Sequence, residues 1–339
     1  MYLLVLTLLI GCGAEHEGDG ANECSDDADN DRDGLFDCAD TDCAGSAACA
    51  DTGIETGDSD TDADSDSDTD ADTDTDFVLV QGSTFQMGCT PSQASQCMFD
   101  EPFHSETLHN VTLTHDYWVS VTEVTQEDFE AKMGYNPSYF STCGPTCPVE
   151  TVSWYESAAY ANAMSRAAGL TECYACTGSL SSIRCEVAID PYDCDGFRLL
   201  TEAEWEGAAR CGTDLVYSGS DTILDVGWTS ADTSRTTHAV AGLDANACGL
   251  YDMSGNVWEW TQDWYGTLSP SVATDPTGAP TGSNRVDRGG SWGYQASNSR
   301  VARRYERHPD EVFPDLGFQS FEVEPLTNRS FGPCPFECS

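Results

Sequence analysis

Gly249-Leu-Tyr-Asp-Met-Ser-Gly-Asn-Val-Trp-Glu-Trp260, followed by Arg285-Val-Asp-Arg-Gly-Gly-Ser-Trp292, is the stretch on which the reading of this chain turns. Neither string keeps the 3.6-residue period of an amphipathic helix or the alternation of a half-buried strand. Glycine, asparagine, aspartate and serine are set between isolated tryptophans, the composition of loops packed down by large aromatic anchors. The same texture holds past Gly212, which predicts an irregular, loop-heavy fold and excludes a repeated or doubly wound one.

Toward the N-terminus the patterning is more regular. Short strands are expected at Phe77–Val80, Gly82–Met87, Val111–Thr114 and Tyr117–Val121, and helices at Thr125–Met133, Ser153–Ala168 and Glu202–Ala209. Thr201 precedes Glu202 with Glu204 three residues on, the spacing at which hydroxyl and carboxylate satisfy the first free N–H groups of a helix. Ser153 stands in the same relation to Trp154-Tyr155-Glu156. About 250 residues follow Phe77, enough for one domain with a substantial core.

The first 76 residues read differently. Tyr2 to Ile10 is apolar apart from Thr7, too short to span a bilayer, and Leu9-Ile10-Gly11-Cys12 looks like a lipobox. Residues 1–12 are therefore expected to be a lipoprotein signal peptide with Cys12 lipidated, giving an exported protein held at the outer membrane or cell surface through its lipid alone. Residues 13–50 contain four cysteines framing Asp29-x-Asp31-x-Asp33-Gly34-x-x-Asp37-x-x-Asp40. Alternate carboxylates with glycine at the sixth position are the logic of a calcium loop, and the full spacing resembles the calcium repeats of the thrombospondin type 3 class. Acidic low-complexity sequence is the competing reading. Residues 51–76 alternate aspartate with serine, threonine or alanine and are expected to be a disordered, self-repelling linker. Net charge is −45, so nucleic acid is excluded as a partner and cations are favoured. The 17 cysteines fit an oxidising compartment. Cys89/Cys97, Cys143/Cys147 and Cys211/Cys248 are plausible bridges, and Cys173, Cys176, Cys185 and Cys194 a stapled hairpin of open connectivity in preference to a zinc ribbon.

Four strings in order carry a resemblance. They are Phe77-Val-Leu-Val-Gln-Gly-Ser-Thr-Phe-Gln-Met-Gly88; Tyr117-Trp-Val-Ser-Val-Thr-Glu123 with Pro148-Val-Glu-Thr-Val-Ser-Trp154; Gly196-Phe-Arg198-Leu-Leu-Thr201-Glu-Ala-Glu-Trp205-Glu-Gly-Ala-Ala-Arg210; and the stretch quoted first, with Gly317-Phe318 after it. Together they resemble the formylglycine-generating enzyme, or sulfatase-modifying factor, family over 77–326, ahead of a cysteine-containing tail at 327–339. The resemblance implies an α+β, C-type-lectin-like fold rich in loops and disulfides. It also implies an oxidase that converts a protein cysteine to formylglycine with copper held by two thiolates, three and eight residues after the serine of Gly-Gly-Ser. Counting from Ser291, those positions are Tyr294 and Ser299. Neither offers a soft thiolate, so copper is not expected and no catalytic residue is assigned. Structural calcium in the Gly-Asn-Val-Trp-Glu-Trp region is a further implication, with Asn256, the Val257 carbonyl and Glu259 as ligands; the alternative is that they satisfy backbone groups of a packed loop. Arg198, Glu202, Glu204 and Arg210 read as structural ion pairs. His104 and His109 are expected on a solvent-exposed loop.

Two functions follow. One is a non-catalytic recognition module whose pocket, built from Trp292, Tyr294, Arg300 and Arg303, takes a glycan, peptide or protein. The other is an oxidoreductase of the family's general kind working with a different metal set.

Overall fold

The computed structural model describes residues 77–97, 106–232 and 234–319, with the backbone of 321–322. Cys12, the Asp29–Asp40 motif, the linker, His104, Cys334 and Cys338 lie outside the described residues.

Two four-stranded sheets frame the core. The first contains β1 (Phe77–Val80) and β4 (Tyr117–Ser120), joined by β13 (Phe321–Glu322) and β7 (Phe197–Arg198) in the order β1-β4-β13-β7. The second has the order β11-β10-β8-β12, built from β8 (Trp258–Trp264), β10 (Arg285–Arg288), β11 (Tyr305–Arg307) and β12 (Leu316–Gly317). A smaller sheet runs β2 (Thr84–Met87), β3 (His109–Thr112), β9 (Ala273–Thr274), and β5 (Tyr174–Thr177) pairs with β6 (Arg184–Val187) as a hairpin. Four α-helices, α1 (Gln126–Met133), α2 (Trp154–Ala168), α3 (Glu202–Arg210) and the single turn α4 (Ile223–Val226), and three short 3-10 turns complete the described elements.

The caps work as the sequence predicts. Ser153 accepts the Glu156 N–H while the Glu156 carboxylate accepts the Ser153 N–H at 2.9 Å, and Thr201 and Glu204 do the same for α3. Alanines at 158, 159 and 161 keep α2 thin where it packs into the core. Across from it, Phe129 of α1 stacks on Tyr160 with centroids 5.7 Å apart, and Phe318 closes the cluster edge-on.

β8 and β10 were not anticipated. Trp258 to Asp263 are all buried, so both faces of β8 meet protein and no polar–apolar alternation marks it as a strand. His109 is also inside, 7% exposed, because β3 is the central strand of the β2-β3-β9 sheet and its side chain lines a cavity beneath the loop after β8. Its expected place on an exposed loop is corrected accordingly.

Five disulfides occur among the described residues. Cys89–Cys97, Cys143–Cys147 and Cys211–Cys248 join as their spacing allowed, and the hairpin is closed by Cys173–Cys194 and Cys176–Cys185. The zinc-ribbon alternative is thereby removed. Cys211–Cys248 closes 37 residues and ties the end of α3 to the loop before β8. On loop-closure grounds a bridge of that span contributes about 3–4 kcal/mol.

Candidate functional site

The Gly-Gly-Ser turn after β10 holds the two positions in question. Gly289 and Gly290 have φ of +87° and +74°, and Ser299 lies where a side chain on Gly290 would point, so only glycine fits the turn. Ser299 is fully buried with no hydrogen-bond partner for its hydroxyl. Tyr294 stands edge-on to Trp258, centroids 5.6 Å apart, and reaches the surface. All ten cysteines of the described residues are in disulfides. The donor set beside Ser291 is thus a phenol and a buried hydroxyl, which does not fit Cu(I).

Beside Tyr294 a cavity of about 420 Å³ opens. Its walls are Tyr294, Tyr305 and Phe313, with Arg307, Glu311 and Asp315 among its polar groups. The antiparallel pairing of β10 with β11 sets Tyr305 opposite Asp287 and so turns Arg307 onto the pocket. Arg307 donates through Nε to Asp287 at 2.8 Å and lies 4.7 Å from the Phe313 centroid. Asp315 accepts from the Ser291 hydroxyl at 3.0 Å, tying the pocket to the Gly-Gly-Ser turn. The aromatic surface continues through Trp292, edge-on to Phe140 at 5.4 Å, to Tyr139, which is 71% exposed.

Arg300 and Arg303 do not line this pocket. Arg300 is fully buried in a bidentate pair with Glu106 (2.6 and 2.8 Å), and Arg303 is 4% exposed beside the same carboxylate. In an apolar interior each guanidinium needs a carboxylate, and Glu106 supplies it. Trp292 and Tyr294 are placed at the surface; Tyr305, Arg307, Glu311 and Asp315 are additions that no short-range motif announces.

Behind the pocket lies a second constellation. Glu123, in the bend that follows β4, accepts from Asn256 Nδ2 at 2.7 Å and from the Val257 N–H at 2.9 Å. Asn256 Oδ1 accepts the His238 N–H at 3.0 Å. Glu259 accepts the Trp205 indole N–H at 2.7 Å through one oxygen; its other oxygen is buried without a partner. Asp252 accepts the Ala241 N–H at 2.7 Å. No arginine or lysine pairs with Glu123, Asp252 or Glu259 among the described residues. Burial pushes the Glu259 carboxyl up to about 8 and Asp252 up to about 6, and Glu123 is raised by burial and by these two neighbours.

Arg198, Glu202, Glu204 and Arg210 are buried ion pairs, as expected. Arg198 grips both oxygens of Glu204 (2.7 and 2.8 Å), Arg304 those of Glu202 (2.6 and 2.7 Å), and Glu206 takes Arg210 and Arg288 together.

The irregular loops, four small sheets and bracing helices define a C-type-lectin-like scaffold of the sulfatase-modifying kind. Residues 63–321 match the family model described as sulfatase-modifying factor enzyme 1-like domain, and the chain belongs to that family. The chaperone protein LppX of Paenibacillus barcinonensis is 30% identical over 239 residues, 62% of this chain and 81% of its own length. The formylglycine-generating enzyme of Thermomonospora curvata is 36% identical over 150 residues, 37% of this chain and 48% of the enzyme. This chain therefore spans less than half of that enzyme. Among solved structures, Treponema denticola variable protein 1 is 33% identical with a TM-score of 0.64, covering 73% of this chain and 94% of that one. Among the described residues no helix is long and apolar enough to cross a membrane.

Proposed function

We propose that this protein is an exported, lipid-anchored recognition module whose Tyr294 pocket engages a polypeptide, without copper oxidation of cysteine. The observation that carries this reading is the chemistry of positions 294 and 299, a phenol and a buried hydroxyl where the oxidase needs two thiolates. The pocket's mixture of tyrosine and phenylalanine rings with Arg307, Glu311 and Asp315 suits backbone amides and an apolar side chain at once. The relative matched over most of its length is named a chaperone, which favours a polypeptide over a glycan. In this reading Cys12 carries the lipid, and calcium occupies the Asp29, Asp31, Asp33, Asp37 and Asp40 loop.

The carboxyl cluster fits a structural calcium ion. Glu259 would hold it through its partnerless oxygen, with Asp252 near enough to share the charge and the Val257 carbonyl as a further oxygen donor. Asn256 is already committed to Glu123 and His238, so it serves as a brace for the loop. A bound ion supplies positive charge to acids that no arginine reaches.

The test pairs a binding assay with a chemical one. Reduced, carboxymethylated α-lactalbumin serves as unfolded client; the full chain is expected to bind it, and Tyr294→Ala to bind about tenfold more weakly. A client bound equally well by both proteins, or a soluble oligosaccharide that displaces it, overturns the polypeptide reading. Incubation with Cu(I), O₂ and a Cys-x-Pro-x-Arg peptide is expected to leave the cysteine intact. Formylglycine in that peptide overturns the non-catalytic reading. Radiolabelled palmitate in the wild type and not in Cys12→Ser checks the anchor.

A further inference from the structure

A second cavity, about 560 Å³, lies under the loop that follows β8 and shares no residue with the Tyr294 pocket. Its walls are apolar: Met87, Trp264, Leu268, Val272, Pro276 and Pro280. Its floor is not. Glu202, Asp263, Arg304 and His109 line it, and each is at least nine-tenths buried.

The charges on that floor are unequal. Arg304 is held by both oxygens of Glu202 and by the Gly266 carbonyl at 3.0 Å, so Glu202 and Arg304 neutralise one another. Asp263 accepts the Glu202 N–H at 2.8 Å and forms no ion pair with any described residue. Burial opposes its ionisation most, and Glu202 and Glu204 add to that; the Glu202 N–H and Arg304 favour the charged form but do not offset the rest, so the carboxyl is held up to about 8. Arg285, whose own charge Asp263 favours, is a further cation in its field. His109 donates through Nδ1 to the Thr107 carbonyl (2.9 Å), and its ring lines the cavity, with Nε2 the acceptor of the neutral imidazole. The floor therefore offers an uncompensated acid and an imidazole acceptor, and no free cation. An anionic head would meet carboxylates there. A neutral one could only hydrogen-bond to the protonated carboxyl, whereas a cation can take the place of its proton.

We propose that this cavity binds a small amphiphilic primary amine, with its ammonium on Asp263 and His109 and its apolar or aromatic body against Trp264 and the proline-rich wall. The volume is that of a small-molecule site and suits a single ring with a short chain. The head would replace the proton on the acid, so binding at neutral pH releases a proton from the protein.

The probe is 2-phenylethylamine, titrated into the full chain at neutral pH by calorimetry in two buffers of different ionisation enthalpy, with Trp264 fluorescence as a second signal. The amine is expected to bind, to release protons, and to bind at least about tenfold more tightly than 2-phenylethanol or 3-phenylpropionate. Asp263→Asn keeps an oxygen for the Glu202 N–H and is expected to melt as the wild type does while losing about tenfold in affinity. Val272→Arg, at a position 69% exposed on the cavity rim, sets a like charge at the entrance and is expected to weaken the amine without weakening the alcohol. The proposal is overturned if the alcohol binds as tightly as the amine, if no proton is released, if Asp263→Asn and Val272→Arg both leave affinity unchanged, or if millimolar amine gives no signal.

Discussion

On one side of Trp205 the buried carboxylates of Glu202, Glu204 and Glu206 each have a guanidinium; on the other, those of Glu123, Asp252 and Glu259 have none. The Arg288 guanidinium lies 4.8 Å from the Trp205 ring centroid, and the Trp205 indole N–H donates to Glu259 at 2.7 Å, so this one side chain touches both sides. Glu202, Glu204 and Glu206 pair with Arg304, Arg198, Arg210 and Arg288. Glu123, Asp252 and Glu259 are as deeply buried and take only N–H donors. Equal burial thus leads to opposite electrostatics. A guanidinium favours the charged form of the acid it touches and locks elements together, whereas an unpaired buried acid holds a proton or waits for a cation. The paired side is framework; the unpaired side, directly behind the Gly-Gly-Ser turn, is where a ligand ion changes the molecule.

The largest effect should come from breaking the paired side. Glu206→Leu leaves Arg210 and Arg288 buried without the carboxylate they share, and loss of one partner of a buried pair costs about 3–5 kcal/mol. Urea unfolding is the measurement. A loss under about 1 kcal/mol would mean that Glu206 is dispensable to its two arginines and would dissolve the contrast.

The two sides should also respond to pH with opposite sign. Glu206 is held below the ordinary carboxylate range by Arg210 and Arg288 against its burial. Its contribution is complete above the unfolded value and is lost in acid, as the native carboxylate is finally protonated. Glu259 is held up to about 8 and Asp252 up to about 6. Their native forms keep protons that the unfolded chain releases, so stability falls as pH rises from the ordinary carboxylate value toward 8. In chelator, the wild type should lose stability across that window, from the ordinary carboxylate value up to about 8, and Glu259→Gln should flatten the fall. Millimolar calcium should flatten it in the wild type and have less effect in Glu259→Gln. A calcium response identical in the two proteins would remove Glu259 from the ion's ligands.

Much of this framework was legible in the sequence, and the carboxyl contrast was not. β1 and β4, α1 to α3 and three of the five bridges announce themselves through alternation, capping residues and cysteine spacing, all short-range signals. β8 was hidden because protein covers both of its faces and tryptophan, threonine and aspartate are buried alike along it. The partnering of acids depends on distance in the fold: Glu123 meets Asn256 across 133 residues, and Arg300 meets Glu106 across 194. For the same reason Arg300 and Arg303 read as pocket residues, since arginines near an aromatic-rich turn look exposed until the carboxylate that claims them is located.

The smallest effect separates capping from charge. Thr201 accepts the Glu204 N–H at 3.2 Å and is hydrogen-bonded to the Tyr192 hydroxyl at 3.1 Å, while Glu204 returns the bond to the Thr201 N–H at 2.8 Å and grips Arg198. Thr201→Ala removes only the neutral half of this box. It should cost about 1 kcal/mol, the usual worth of an N-cap hydroxyl. Because the Glu204–Arg198 pair survives, that loss should be the same at every pH where the protein folds, moving the whole stability curve down without tilting it. A tilt toward greater loss in acid would show that the hydroxyl also positions Glu204 for Arg198, and the cap would then belong to the ion-pair framework itself.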